Sequence, residues 1–139
     1  MANIQTNPYL LFKGQCEEAF QFYAKVLGGK IEGTFTFGSS PMADKMPPEM
    51  KNKIMHMSMT VNGNTLMGSD PPPDQYSEPK GFSVALNLND TAEAERIFRE
   101  LSEGGKITMP IQQTFWAARF AMFVDRYGIP WMVNCGQPA

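Results

Sequence analysis

The stretch EEAFQFYAKVLGGKI, residues 17–31, returns in altered form as AEAERIFRELSEGGKI, residues 92–107. Phe22 recurs as Phe98, and Gly28-Gly29-Lys30-Ile31 recurs as Gly104-Gly105-Lys106-Ile107, all at the same offset of 76 in a chain of 139 residues. One offset of about half the chain marks a duplicated supersecondary unit, which is expected to bury its apolar face against its copy.

Working outward from the first copy, Cys16, Ala19, Phe20, Tyr23, Val26 and Leu27 fall at helical spacing, so residues 15–27 read as a helix closed by Gly28-Gly29. An apolar run over 7–13 reads as a strand before it, and 30–37 as a strand after it. Residues 38–53, with Pro41, Pro47 and Pro48, form a loop or short-helix insertion that the other half lacks. Residues 54–61 alternate, placing Met55, Met57, Met59 and Val61 on one side and Ile54, His56, Ser58 and Thr60 on the other. Asn62-Gly63 supplies a hairpin turn into a strand over 64–69.

The second copy repeats this order. A strand over 81–88 leads through Asn89-Asp90-Thr91 into a helix over 92–102, and strands follow at 106–111, 118–125 and 129–134, the last two joined by Asp125-Arg126-Tyr127-Gly128. Each half is strand, helix and three strands. The expectation is an α+β fold and a single domain of two βαβββ modules, 1–70 and 80–136, joined by a proline-rich linker over 71–79. The modules should form a curved mixed sheet with helices on its outer face.

A sheet covered on one face leaves the other free to line a pocket. The helix-packed side is expected to carry Phe82, Val84, Leu86, Leu88, Trp131 and Val133. The open side should carry His56, Ser58, Thr60, Thr65, Met67 and Ser69 from one module and Ser83, Ala85, Asn87, Pro130, Met132 and Asn134 from the other. Tyr9 and Phe12 read as core or wall residues, with Phe12 on the pocket side. A few polar groups among apolar ones on a concave face suit a small molecule.

Composition narrows the partners. A net charge of −2, a pI near 5.4 and scattered basic residues leave no footprint for nucleic acid. No apolar run reaches the length of a membrane span and the start has no signal-like pattern, so a cytoplasmic location is expected. Cys16 and Cys135 have neither zinc-site nor redox spacing and read as free structural thiols. Eleven methionines are read chiefly as core filling, although thioethers also suit permissive binding surfaces.

Three segments carry a family resemblance: NPYLLFKGQCEEAFQFYAKVLGG at the start, IMHMSMTVNGNTLMGSD in the middle and TFWAARFAMFVDRYGIPWMVN at the end. With two βαβββ modules they resemble the vicinal oxygen chelate superfamily of glyoxalase I, extradiol dioxygenases and the fosfomycin and bleomycin resistance proteins. More narrowly, the chain resembles the PhnB-like subgroup, also labelled 3-demethylubiquinone methyltransferase-like. For catalytic members the resemblance implies a divalent metal held by His and Glu on the first and last strands of each module. Those positions correspond here to Pro8, Met67, with Gly68 as its alternative, Ser83 and Met132. None offers an imidazole or carboxylate, so no metal or other cofactor is expected.

Among the remaining candidates, His56 is the only histidine. A structural hydrogen bond, contact or acid/base work on a substrate, and metal ligation are all open to it. Phe115 and Trp116 are candidates for the rim of a pocket or for packing, and Arg119 for an anion contact or an ordinary ion pair. Asp70, the nearest acidic residue to His56 after the hairpin, reads as a turn residue accepting backbone hydrogen bonds. Glu17 and Glu18 suit the first turn of a helix and carry no catalytic reading.

The leading reading is metal-independent binding of a small molecule by His56, Ser58, Met67, Ser83, Asn87, Phe115, Trp116, Arg119, Met132 and Asn134. The alternatives are a lyase/isomerase-type or methyltransferase-like enzyme using His56 as acid/base or metal ligand, and a structural or regulatory dimer with a vestigial cavity. The glycine-rich loop of common adenosyl-cofactor enzymes is absent after the first strand, where the chain reads Lys13-Gly14-Gln15-Cys16. The resemblance also implies a homodimer.

Overall fold

The computed structural model describes residues 2–137. They divide into two compact units that meet in sequence between Ser77 and Glu78. The first contains β1 (Tyr9–Leu11), α1 (Cys16–Leu27), β2 (Lys30–Thr36), β3 (Ile54–Val61) and β4 (Asn64–Ser69). The second contains β5 (Val84–Leu88), α2 (Thr91–Ser102), β6 (Lys106–Gln112), β7 (Arg119–Val124) and β8 (Pro130–Cys135). Each unit closes its own four-stranded sheet, in the orders β1-β4-β3-β2 and β5-β8-β7-β6, with the outermost pair on one side parallel and the others antiparallel. The fold is the expected pair of α+β βαβββ modules.

The repeated Gly-Gly has two separate physical causes. Gly28 and Gly104 take φ of 69° and 79°, values that a Cβ disfavours: Gly28 is the left-handed cap of α1, and Gly104 follows the extended Glu103 in a turn closed by Gly105 N donating to the Ser102 carbonyl at 2.9 Å. Gly29 and Gly105 are close-approach glycines. A Cβ on Gly29 would lie 2.8 Å from the Thr60 carbonyl oxygen, and one on Gly105 would lie 2.1 Å from that of Val124. The first glycine therefore turns the chain and the second lets it press onto the sheet. Asn62-Gly63, at φ of 48° and 83°, makes the β3–β4 turn.

Each sheet buries one face beneath its helix. In the first unit Leu10, Phe12, Phe20, Tyr23, Met57 and Met59 are fully buried, with Phe12 and Phe20 edge to face at 5.9 Å. Gly68 belongs to this face too, since a Cβ there would come within 3.0 Å of the Phe20 ring. In the second unit Ala94, Leu101, Phe123, Trp131, Val133 and Cys135 are buried, and Phe98 meets Phe123 at 5.8 Å. Each large side chain withdrawn from water contributes on the order of 1.5–3 kcal/mol.

Three expectations about facing are corrected. Phe12 lies in the helix-packed core and not on the open face, because Leu10 and Phe12 alternate inward while Tyr9 and Leu11 point out. Ile54 is buried and parted from His56, because the β2–β3 pairing steps from Phe35↔His56 to Thr36↔Ile54 and leaves Met55 as the extra residue of a bulge. Phe82 is 49% exposed, since β5 begins at Val84 and residue 82 precedes the pleat that would direct it inward. The 38–53 insertion forms three short 3-10 turns, Phe37–Ser39, Ala43–Lys45 and Pro48–Met50.

Candidate functional site

The open face of the first sheet is built in rows. Tyr9 pairs with Met67, Met67 with Ser58 and Ser58 with Gly33 across four strands. In the next row Leu11 pairs with Ser69 at one end and His56 with Phe35 at the other. Tyr9 and Phe35 are 44% and 54% exposed, large aromatic rings in water on a sheet face. Between them stands His56, with ring centroids at 5.7 Å from Tyr9 and 6.5 Å from Phe35. A 3.1 Å hydrogen bond joins the Tyr9 hydroxyl to His56 Nδ1, which sets the ring's orientation and leaves Nε2 as its second polar atom.

Tyr9 is the site residue that sequence reasoning missed. It reads locally as one more apolar position of a short strand. Only the parallel pairing of β1 with β4 and the antiparallel return of β3 bring residues 9 and 56 together.

Asp70 does not serve His56. It is 2% exposed, and its two carboxylate oxygens accept from the Cys16 and Ile54 backbone N–H groups, each at 3.0 Å. It thus ties the start of α1 to the start of β3. Asp125 acts similarly in the second unit, accepting from Tyr127 N at 2.8 Å, Ile129 N at 3.0 Å and Trp131 Nε1 at 2.8 Å.

The open face of the second sheet has a row of Ala85, Met132, Met122 and Met109, and beside it one of Asn87, Asn134 and Phe120. Asn134 Nδ2 donates to Asn87 Oδ1 at 3.2 Å. Trp116 packs edge to face on Phe120 at 5.1 Å and on Phe115 at 4.8 Å, and Phe115 is 90% exposed. Ser83 precedes β5 and is half-buried. Arg119 donates to Glu95 Oε1 at 3.1 Å and to the Ala118 carbonyl at 2.7 Å, so its guanidinium is already engaged.

Strand register shows what stands beside the positions that the resemblance implies for a metal. Met67 sits opposite Tyr9 rather than Pro8, whose carbonyl accepts from Met67 N, and Met132 sits opposite Ala85 rather than Ser83. A phenol, two thioethers and a methyl group are no donor set for a hard divalent ion, and these residues do not fit one. Among the described residues, no group of three or more His, Cys, Asp or Glu side chains is placed to hold a metal. Both thiols are poor nucleophiles. Burial, reinforced by the Asp70 and Glu17 charges, pushes Cys16 well above the usual thiol range. Burial and then Asp90 raise Cys135 against an opposing pull from Arg119. Among the described residues no helix is long and apolar enough to cross a membrane.

The chain is 34% identical to Escherichia coli protein YjdN over 136 residues, 92% of each chain. The crystal structure of Pseudomonas aeruginosa protein PA1353 superposes with a TM-score of 0.89 at 48% identity, covering 97% of this chain and 99% of that one. A Bacillus cereus PhnB protein, described as a putative 3-demethylubiquinone-9 3-methyltransferase, shares the fold with a TM-score of 0.81 at 22% identity, over 96% of this chain and all of that one. The PhnB-like resemblance thus has its counterpart in fold. The family model for the Glyoxalase/Bleomycin resistance protein/Dioxygenase superfamily matches residues 5–133, and the chain belongs to that superfamily.

Proposed function

We propose that the protein binds a small molecule on the open sheet faces without a metal centre. The observation that carries this reading is the composition of the two central rows, where Tyr9 lies opposite Met67 on one sheet and Ala85 opposite Met132 on the other, side chains that offer a hard divalent ion neither imidazole nor carboxylate. Shape, thioether contacts and neutral polar groups are then the means of recognition. On the first sheet His56 and Ser58 supply the polar contacts beside Met67. On the second, Ser83, Asn87 and Asn134 do so beside Met132. Phe115 and Trp116, in the segment leading into β7, and Arg119, which opens that strand, flank the second set.

Metal analysis of the purified protein, with and without added nickel, zinc, manganese or iron, tests the reading. The expected result is substoichiometric metal and no thermal shift, and stoichiometric metal overturns it. A small-molecule thermal-shift screen then reports binding, because a ligand of the native state raises apparent stability. His56→Ala should weaken a ligand found this way roughly tenfold, about 1.4 kcal/mol. Unchanged affinity removes His56 from the site.

One observation favours a second reading. The Tyr9–His56 hydrogen bond fixes one ring nitrogen and leaves Nε2 for proton transfer, as in a lyase- or isomerase-type reaction. A turnover assay that is lost in both Tyr9→Phe and His56→Ala would select it. We further propose a cytoplasmic homodimer. Sedimentation giving the 15.5 kDa monomer mass at micromolar concentration refutes the dimer.

A further inference from the structure

At the carboxyl ends of the parallel strands β5 and β8 lies an open cavity of about 250 Å³, lined by Asn87, Leu88, Asn89, Asn134, Gly136 and Gln137. No lining residue is ionisable. Of the charges near it, Asp90 caps α2 by accepting from Glu93 N at 3.1 Å and Arg119 pairs with Glu95. What the cavity offers is amide chemistry, four side-chain carboxamides with the backbone turned out by Gly136 at φ 60°.

One of those amides is unsatisfied. Asn134 Nδ2 donates to Asn87, yet Asn134 Oδ1 is shut away from solvent and no protein donor reaches it. A buried carbonyl without a donor opposes folding, and native structures keep few of them without a use. Both asparagines are adjacent on paired strands, and the terminal torsion of an amide is soft. To meet a ligand the Asn134 amide must turn about that torsion into the cavity it lines, giving up its bond to Asn87 and leaving the Asn87 amide to serve the ligand beside it. The pair would offer an acceptor and a donor side by side, which complements one group in particular, an uncharged carboxamide with its N–H next to its C=O.

We propose that this cavity is a recognition point for the carboxamide group of a neutral ligand, with Asn134 Oδ1 accepting the ligand's N–H and Asn87 meeting its carbonyl. The proposal deepens the binding reading above by naming a chemical class, and it rests on the second unit alone. It stands or falls independently of Tyr9 and His56.

The test compares benzamide with benzoate, two probes of one shape that differ in charge and in the N–H, by following the side-chain amide resonances of Asn87 and Asn134 in the intact protein. Benzamide should shift both resonances saturably at millimolar concentration, the range open to a ligand of its size, and bind roughly tenfold or more tightly than benzoate. Asn134→Leu removes the stranded oxygen at similar volume. That variant should fold with undiminished stability and lose the benzamide response, with Asn87→Ser as a second variant that loses it too. No saturable shift, equal binding of benzoate, or benzamide binding unchanged in folded Asn134→Leu each overturns the proposal. A marked loss of stability in Asn134→Leu also overturns it, since the amide is then structural. A failure here leaves the metal analysis and the His56 result untouched, so the two readings are separable.

Discussion

Asp70→Ala is the substitution whose cost can be worked most directly from the structure. The carboxylate is 2% exposed and holds two backbone N–H groups at 3.0 Å, one opening α1 and the other opening β3. Its removal strands both donors where water does not reach them. A buried unsatisfied group costs about 1–3 kcal/mol, so the pair should cost about 2–6 kcal/mol, a large part of the 5–15 kcal/mol that holds a typical domain. In urea, where stability falls by roughly 1–3 kcal/mol per molar, the midpoint should drop by about 2 M at the middle of both ranges, with little change in slope. Asp70→Asn keeps one acceptor and turns an NH2 toward the other donor, so it should fall between the wild type and Asp70→Ala. The assay is urea unfolding followed by circular dichroism, with benzamide titration of the second unit as a control that should not change. A loss below about 1 kcal/mol for Asp70→Ala would refute the reasoning, because it would mean that the two N–H groups find other partners at no cost.

Other expectations follow from the same structure. Gly105→Ala should lose about 1–3 kcal/mol or fail to fold, because its Cβ would press into the Val124 carbonyl, and thermal unfolding reads the loss directly. Both thiols should resist iodoacetamide in native protein and react once urea unfolds it. Their pKa values are raised in the native state, so above about pH 8.5 the unfolded chain releases thiol protons that the native chain retains. Stability should accordingly be unaffected by these thiols below that pH and decline as pH rises beyond it, by up to ~1.4 kcal/mol per pH unit for each thiol. Cys16→Ala combined with Cys135→Ala should flatten the decline, and an identical slope in that variant would remove the thiols as its cause.

The likeness between the two Gly-Gly-Lys-Ile segments was readable because its causes are local. A turn at positive φ favours glycine wherever it occurs, and helical spacing at Cys16, Ala19, Phe20 and Tyr23 is a property of one segment. Turns at Asn62-Gly63 and the capping of α2 by Asp90 were legible for the same reason. The inward facing of Trp131 and Val133 followed from a period of two in an uninterrupted strand.

Facing and register were another matter. A shift of one residue reverses every side chain of a strand, and the choice between shifts is made by hydrogen bonds and packing that come from elsewhere in the chain. Tyr9 rather than Pro8 lies opposite Met67 because β1 docks parallel to β4 in one register. Ile54 is buried apart from His56 because a bulge absorbs Met55, and Phe12 is buried because Phe20 and Tyr23 of α1 receive it. The sequence by itself determined a duplicated βαβββ unit, because helical spacing, strand alternation and glycine turns are properties of single segments. Only the tertiary structure decided that Tyr9 meets His56 and that Asn134 meets Asn87, since each pair is 47 residues apart and is joined solely by the pairing of strands.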